Sequence, residues 1–101
     1  MKEIFDKNCY WWAPNFETNL MFIRNIENYL NDKLRARGYV SIFEVYESLG
    51  LKIDLERLKS VKNPSDLWWT YDGKNTIDFR PTSIVNEKEN VIYLDFNINI
   101  E

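Results

Sequence analysis

The chain has 101 residues, a net charge of −3 from 13 Lys+Arg and 16 Asp+Glu, and a hydrophobic share of 45%. That is one domain's worth of chain with enough apolar content to pack a core, which excludes a disordered protein and one that is basic throughout. One cysteine rules out an intrachain disulfide or a cysteine-based zinc cluster, and the lack of histidine removes Ser-His and Cys-His chemistry.

Residues 1–14 form an aromatic segment around C-Y-W-W-A-P-N. The start, M-K-E-I-F-D-K-N, lacks the apolar run of a signal peptide, and no stretch is long and apolar enough to span a bilayer. Cys9 precedes Tyr-Trp-Trp, a context that raises a thiol pKa, so it reads as a buried and inert thiol. These features point to a soluble protein of a reducing compartment.

After Pro14 the apolar residues recur at spacings of three and four. Phe16, Leu20, Ile23, Ile26 or Glu27, Leu30 and Leu34 predict a long helix with Asn15 or Thr18 as its cap. Gly38 supplies the left-handed residue past its end, and Lys33, Arg35 and Arg37 sit against the negative end of its dipole. Ser41 and Glu44 form the S-x-x-E capping box of a second helix, with Ile42, Val45, Tyr46 and Leu49 as its stripe and Gly50 as its stop. A third, short helix is expected over residues 54–61, opened by Asp54 and followed by the loop signal N-P-S-D.

From Leu67 the period changes to two. L-W-W-T-Y and N-T-I-D-F-R flank Asp72-Gly73, a local hairpin signal, and 82–85 offers a further strand. In V-I-Y-L-D-F-N-I-N-I, residues Ile92, Leu94, Phe96, Ile98 and Ile100 share one face, while Tyr93, Asp95, Asn97 and Asn99 share the other. The expected architecture is a single α+β domain over 1–101. Residues 15–62 form the helical part, a long N-terminal helix plus one or two short ones. These pack on one face of a C-terminal antiparallel sheet of three to four strands over 66–101.

The pair Trp68-Trp69 sharpens that expectation, because neighbours on a strand point to opposite faces. An even hairpin loop puts Trp68 with Ile77 and Phe79 on the core side and leaves Trp69 beside Tyr71 on the other face; a bulged loop swaps the two. The outward ring has two outlets. Trp11 or Trp12 folds over it, or it joins Tyr71 and Tyr93 as an exposed contact patch of the residue types enriched at hot spots.

Two blocks also carry a family resemblance. Y-L-N-D-K-L-R-A-R-G-Y-V-S-I-F-E-V-Y-E-S-L-G-L (29–51) and V-I-Y-L-D-F-N-I-N (91–99) resemble a small domain of unknown function found in proteins of Gram-positive bacteriophages and prophages. The resemblance covers roughly 9–51 and 67–99. It implies phage origin and brings no catalytic residue. Its relatives often carry a hydrophobic N-terminal segment, which this sequence lacks, so no membrane partner is expected. They also tend to have Gly-Trp where this chain has Leu67-Trp68-Trp69.

Chemistry finds little foothold. The glycines, 38, 50 and 73, are each used by a cap or turn, so no phosphate-cradling loop exists. Asp72 belongs to the turn, and Asp78 and Asp95 to the wet face of strands, with no metal-site spacing. No enzyme activity, metal or cofactor is expected. Residues 31–62 carry seven basic and five acidic side chains, so any polyanion-facing surface lies there. A winged helix-turn-helix over 41–80, with Arg35, Arg37, Lys52, Arg57, Lys59 and Lys62 on phosphates, is the nucleic-acid alternative. A small-ligand binder with aromatic walls comes third. The leading expectation is a phage-type accessory protein, in the host cytoplasm or a virion-associated assembly. It acts on a protein partner or a second copy of itself through Trp69, Tyr71, Trp11, Trp12 and Tyr93.

Overall fold

The computed structural model describes residues 1–61, 67–82 and 89–98. Within them the chain is mixed α and β, with three helices and two small antiparallel sheets. The order is β1 (Lys2–Phe5), α1 (Phe16–Arg37), β2 (Tyr39–Ser41), α2 (Ile42–Leu49), α3 (Leu55–Lys59), β3 (Trp68–Thr70) and β4 (Ile92–Asp95).

The helix signals hold. Asn15 accepts the Thr18 backbone N–H at 3.0 Å and opens α1, and Gly38, at φ +93°, closes it by donating to the Leu34 carbonyl at 2.7 Å. Ile23, Leu30 and Leu34 are buried along its inner face. Ser41 and Glu44 make both halves of the capping box on α2, and Gly50 ends it with φ +73°. Asp54 caps α3, which runs for five residues only.

The sheets differ from the expectation. The chain begins with a strand, so the long helix is its second element, and no three- or four-stranded C-terminal sheet is present among the described residues. Instead β1 pairs with β4 and β2 pairs with β3, so each sheet joins one early strand to one late strand. Strands of three or four residues show too little alternation to be read from sequence, which is why β1 and β2 escape it. Thr82 adds an isolated bridge to Tyr93; the rest of the 82–85 strand lies outside the described residues.

The predicted hairpin is also replaced. β3 makes no ladder with 75–80. The turn at Asp72 is closed by side chains, with Asp72 accepting from the Lys74 and Asn75 backbones at 2.9 Å and Asn75 donating to the Thr70 carbonyl. Residues 75–80 then run beneath α1. Asn31 takes both the N–H and the carbonyl of Ile77, at 2.7 and 2.9 Å, and Glu27 accepts the Phe79 N–H at 2.8 Å. On the other side Asn97 accepts the Asp78 N–H and donates to the Thr76 carbonyl. Side chains of α1 thus pair one edge of the segment and the last segment pairs the other, with the Asp95 N–H donating to the Phe79 carbonyl at 2.8 Å and the Asn97 N–H to the Asp78 carbonyl at 3.1 Å; Ile77 and Phe79 are buried as the hairpin reading required.

The alternation of the last segment is observed. Ile92, Leu94, Phe96 and Ile98 are buried, and Phe96 packs against Phe79 and Tyr46 with ring centroids 5.2 and 6.0 Å away. Ile100 and Asn99 lie outside the described residues.

Candidate protein-interaction site

The site grows from the shortest sheet. Gly38 ends α1, and the next three residues, Tyr39–Ser41, run straight into the capping box of α2. Val40 is fully buried, so its neighbour Tyr39 must point away from the core. β3 takes its register from this strand, with Val40 opposite Trp69 and Ser41 opposite Trp68. Residues directly opposite share a face, so Trp69 joins Val40 in the core and Trp68 is turned out.

This reverses the expected roles of the two tryptophans. Trp69 is 4% exposed, and its indole N–H donates to the Asn97 Oδ1 at 3.0 Å. Trp68 is 43% exposed and stacks on Tyr39, itself 45% exposed, with centroids 5.6 Å apart and planes tilted by 59°. The even-loop argument fails because the partner of β3 is β2, not 75–80.

Behind the two rings lies a fixed cation. The Arg37 guanidinium sits 4.2 Å from the Tyr39 ring centroid, donates to the Tyr39 carbonyl at 2.9 and 3.1 Å, and bonds both oxygens of Glu44 at 2.8 and 2.6 Å. Glu44 also accepts from Lys33 at 2.8 Å and from the Ser41 backbone. Partial burial works against its ionisation, but the hydrogen bonds from Arg37, Lys33 and the Ser41 N–H prevail and lower its pKa to about 2. Arg37 is held charged by the same pairing. The result is an Arg37–Tyr39–Trp68 row whose first member is tied to Glu44 and to the Tyr39 carbonyl.

With the geometry in hand, a family model described as a family of unknown function, DUF6353, matches residues 2–101. The chain belongs to the DUF6353 family. No curated protein and no solved structure matches it. The matched region starts at the first residue of β1, so the strand that sequence periodicity missed lies inside the family's boundaries.

In this DUF6353 protein the other contact candidates divide. Trp12 is half-buried against the core and donates its indole N–H to the Asn90 carbonyl at 2.9 Å. Trp11 is 52% exposed, meets Tyr10 edge-to-face at 4.6 Å, and covers Gly50, where a Cβ would stand 2.7 Å from its ring. The Trp11-Trp12 pair therefore straps residues 10–13 to α2 and to the 89–91 turn and does not cover either Trp68 or Trp69. Tyr71 packs half-buried on the core, its N–H bonded to the Gly38 carbonyl. Tyr93 lies on the outer face of the β1–β4 sheet, opposite Ile4. The residues that sequence reasoning missed are Tyr39 and the outward Trp68; a Gly-Tyr-Val-Ser run between two helix caps was the available signal.

The basic candidates are not one free surface. Arg35 is paired with Asp32, Arg37 with Glu44, and Arg57 with Glu3 at 3.1 Å. Lys52 and Lys59 are exposed, and Lys62 lies outside the described residues. A helix of five residues at α3 and a 75–80 segment that makes no ladder with β3 give neither a reading helix nor a wing of the usual kind. Among the described residues no group of three or more His, Cys, Asp or Glu could hold a metal ion, and no helix is long and apolar enough to cross a membrane. Cys9 is half-buried, which pushes its thiol pKa up.

Proposed function

We propose that this DUF6353 protein is a non-enzymatic interaction module of bacteriophage or prophage type, working in the host cytoplasm or in a virion-associated assembly. It acts by protein–protein contact through the outer face of the β2–β3 sheet. The observation that carries this reading is the Trp68–Tyr39 pair: two large rings, each more than two-fifths exposed, with the Tyr39 ring backed by the Arg37–Glu44 ion pair. An exposed Trp–Tyr pair in mutual contact, one ring of it backed by a paired guanidinium, suits a hot spot. The non-enzymatic part is supported by the use already made of the polar groups. Asp72 holds a turn, Glu44 a helix cap, and Asp95 pairs with the Met1 ammonium at 3.3 Å. The phage part is supported by the resemblance of 29–51 and 91–99.

Photo-crosslinking tests the contact. A photoreactive phenylalanine analogue at position 68, in cells expressing the protein, should trap protein adducts well above those from the same analogue at exposed position 24 on α1. Equal yields at both positions would remove the proposed surface. The gene's neighbourhood tests the origin: tail, lysogeny-control or early anti-host genes support it, and a housekeeping operon removes it.

A further inference from the structure

The outer face of the β1–β4 sheet carries a cavity that owes nothing to the β2–β3 face. Phe5 is fully buried, so strand alternation turns Ile4 and Lys2 outward. Ile4 stands opposite Tyr93, and Tyr93 in turn exchanges both backbone hydrogen bonds with Thr82, at 2.8 and 3.0 Å. Ile4 is 48% and Tyr93 43% exposed. Together they floor an open cavity of about 560 Å³, with Lys2, Arg80 and Asp95 among the residues that line it.

Arg80 reaches this cavity from a strained position. Tyr93 and Asp95 are two residues apart in β4, while the residues they bond, Thr82 and Phe79, are three apart. The extra residue makes a bulge, a device that re-aims a side chain. Arg80 stands in it at φ +44°, a left-handed conformation that glycine adopts freely and a residue with a Cβ does not. Yet the fold makes little use of the side chain placed there. The guanidinium lies 3.9 Å from an Asp95 oxygen and 4.0 Å from an Asp78 oxygen, beyond hydrogen-bond reach. None of its N–H groups donates a hydrogen bond among the described residues, whereas the Arg37 guanidinium bonds both oxygens of Glu44. Strain retained at such a residue, on the rim of a cavity, points to a ligand as the reason for it.

The free donors and their surroundings define the ligand. A guanidinium matches a carboxylate, which accepts two parallel N–H bonds from it. Lys2, which has no ion pair among the described residues, puts a second positive charge on the same rim. Asp95 does not cancel them, because it also faces the Met1 ammonium at 3.3 Å. Beside these charges, the Tyr93 ring and the Ile4 side chain offer an apolar floor for a flat body. We propose that this cavity binds a small aromatic carboxylic acid, its carboxylate on Arg80 and its ring on Tyr93 and Ile4. The volume lies within the range of pockets that take one small molecule.

The test titrates the full chain, labelled with nitrogen-15, with three probes that share one ring system: 2-naphthoate, 2-naphthamide and 2-naphthyl phosphate. The acid should move the Ile4 and Tyr93 amide signals saturably, and the neutral amide should bind at least about tenfold more weakly, the loss of one charge-assisted pair. Arg80→Gly removes the guanidinium and relieves the left-handed strain together. It should weaken 2-naphthoate by at least about tenfold while the melting midpoint stays level or rises, an outcome that a structural role for Arg80 would not give. Arg24→Ala, the same loss of charge at an exposed position on α1, should leave the titration unchanged. The proposal is overturned if 2-naphthoate leaves Ile4 and Tyr93 unmoved up to its solubility limit, or if the amide binds as well as the acid. Tighter binding of the phosphate would assign the site to another anion, and tighter binding of a hexapeptide ending in tryptophan would assign it to a chain terminus; either sinks the small carboxylic acid. A fall in the midpoint of Arg80→Gly would return Arg80 to the fold. Crosslinking at position 68 reports on the other face alone, so the two readings stand or fall separately.

Discussion

Alanine in place of each tryptophan of β3 tests the register of the smaller sheet. Trp69 is 4% exposed, faces Val40 across the sheet and bonds Asn97. Its removal opens a cavity the size of an indole in the core cluster, and such truncations cost about 3–5 kcal/mol. It also takes one donor from the Asn97 Oδ1, which keeps the Asp78 N–H at 2.8 Å, so no orphaned acceptor adds to the cost. For a chain of this size each kcal/mol moves the melting midpoint by roughly 4–8 °C, so Trp69→Ala should lower it by more than about 12 °C. Trp69→Phe retains most of the ring and loses the hydrogen bond, for about 1–2 kcal/mol. Trp68→Ala removes a ring that is 43% exposed and one aromatic contact, for about 1 kcal/mol or less. Urea unfolding followed by far-ultraviolet dichroism measures all three. A Trp68→Ala cost equal to or above that of Trp69→Ala would mean that β3 is out by one residue and that the proposed contact surface faces the core.

Glu44→Gln keeps the capping geometry and removes the charge shared by Arg37 and Lys33. Because the folded pKa, about 2, lies below the unfolded value near 4.5, the carboxylate stabilises the fold above pH 4.5 and loses that contribution as pH falls toward 2. After solvent screening the effect is about 1–2 kcal/mol at pH 7, and the difference between wild type and variant should vanish in unfolding curves near pH 2. Asn31→Ala leaves the Ile77 N–H and carbonyl without partners and should cost about 2–3 kcal/mol, read as faster hydrogen exchange at the Ile77 amide. Gly50→Ala combines a left-handed φ with a Cβ 2.7 Å from Trp11, whereas Gly38→Ala meets nothing within 4 Å. Gly38→Ala should therefore cost about 1 kcal/mol in thermal unfolding, and Gly50→Ala clearly more, with altered Trp11 fluorescence; equal costs would deny the strap.

What the sequence disclosed follows the range of the interactions involved. The caps at Asn15, Ser41–Glu44 and Asp54 and the stops at Gly38 and Gly50 are decided within four residues, and all of them are present. The buried face of β4 rests on a period-two pattern long enough to read. Strand partners are different, because pairing is settled between segments 30 to 90 residues apart. Three residues such as Tyr39–Ser41 carry no periodicity of their own. The hairpin expectation failed at that point. Asp72-Gly73 does turn the chain, but Asn31, Glu27 and Asn97 compete for the backbone of 75–80 and win.

The same competition decides which tryptophan is available to a partner. Pleat geometry requires one ring of an adjacent pair to leave the core, and that much was legible; the choice between them belongs to the strand opposite. Val40 is that strand's buried apolar residue, and matching it places Trp69 inside and Trp68 outside. The residue that then meets Trp68 is Tyr39, and the residue that fixes Tyr39 is Arg37, four positions before the box whose Glu44 holds Arg37 in turn. A helix stop, a three-residue strand and a helix cap, each unremarkable alone, therefore place a paired guanidinium behind two exposed rings only because they are consecutive. Inserting one glycine between Gly38 and Tyr39 should leave both helices intact by dichroism. It would part Arg37 from Glu44 and Tyr39, free the ring, and lower the photo-crosslinking yield at position 68. An unchanged crosslinking yield in that variant would show that the rings need no support from behind.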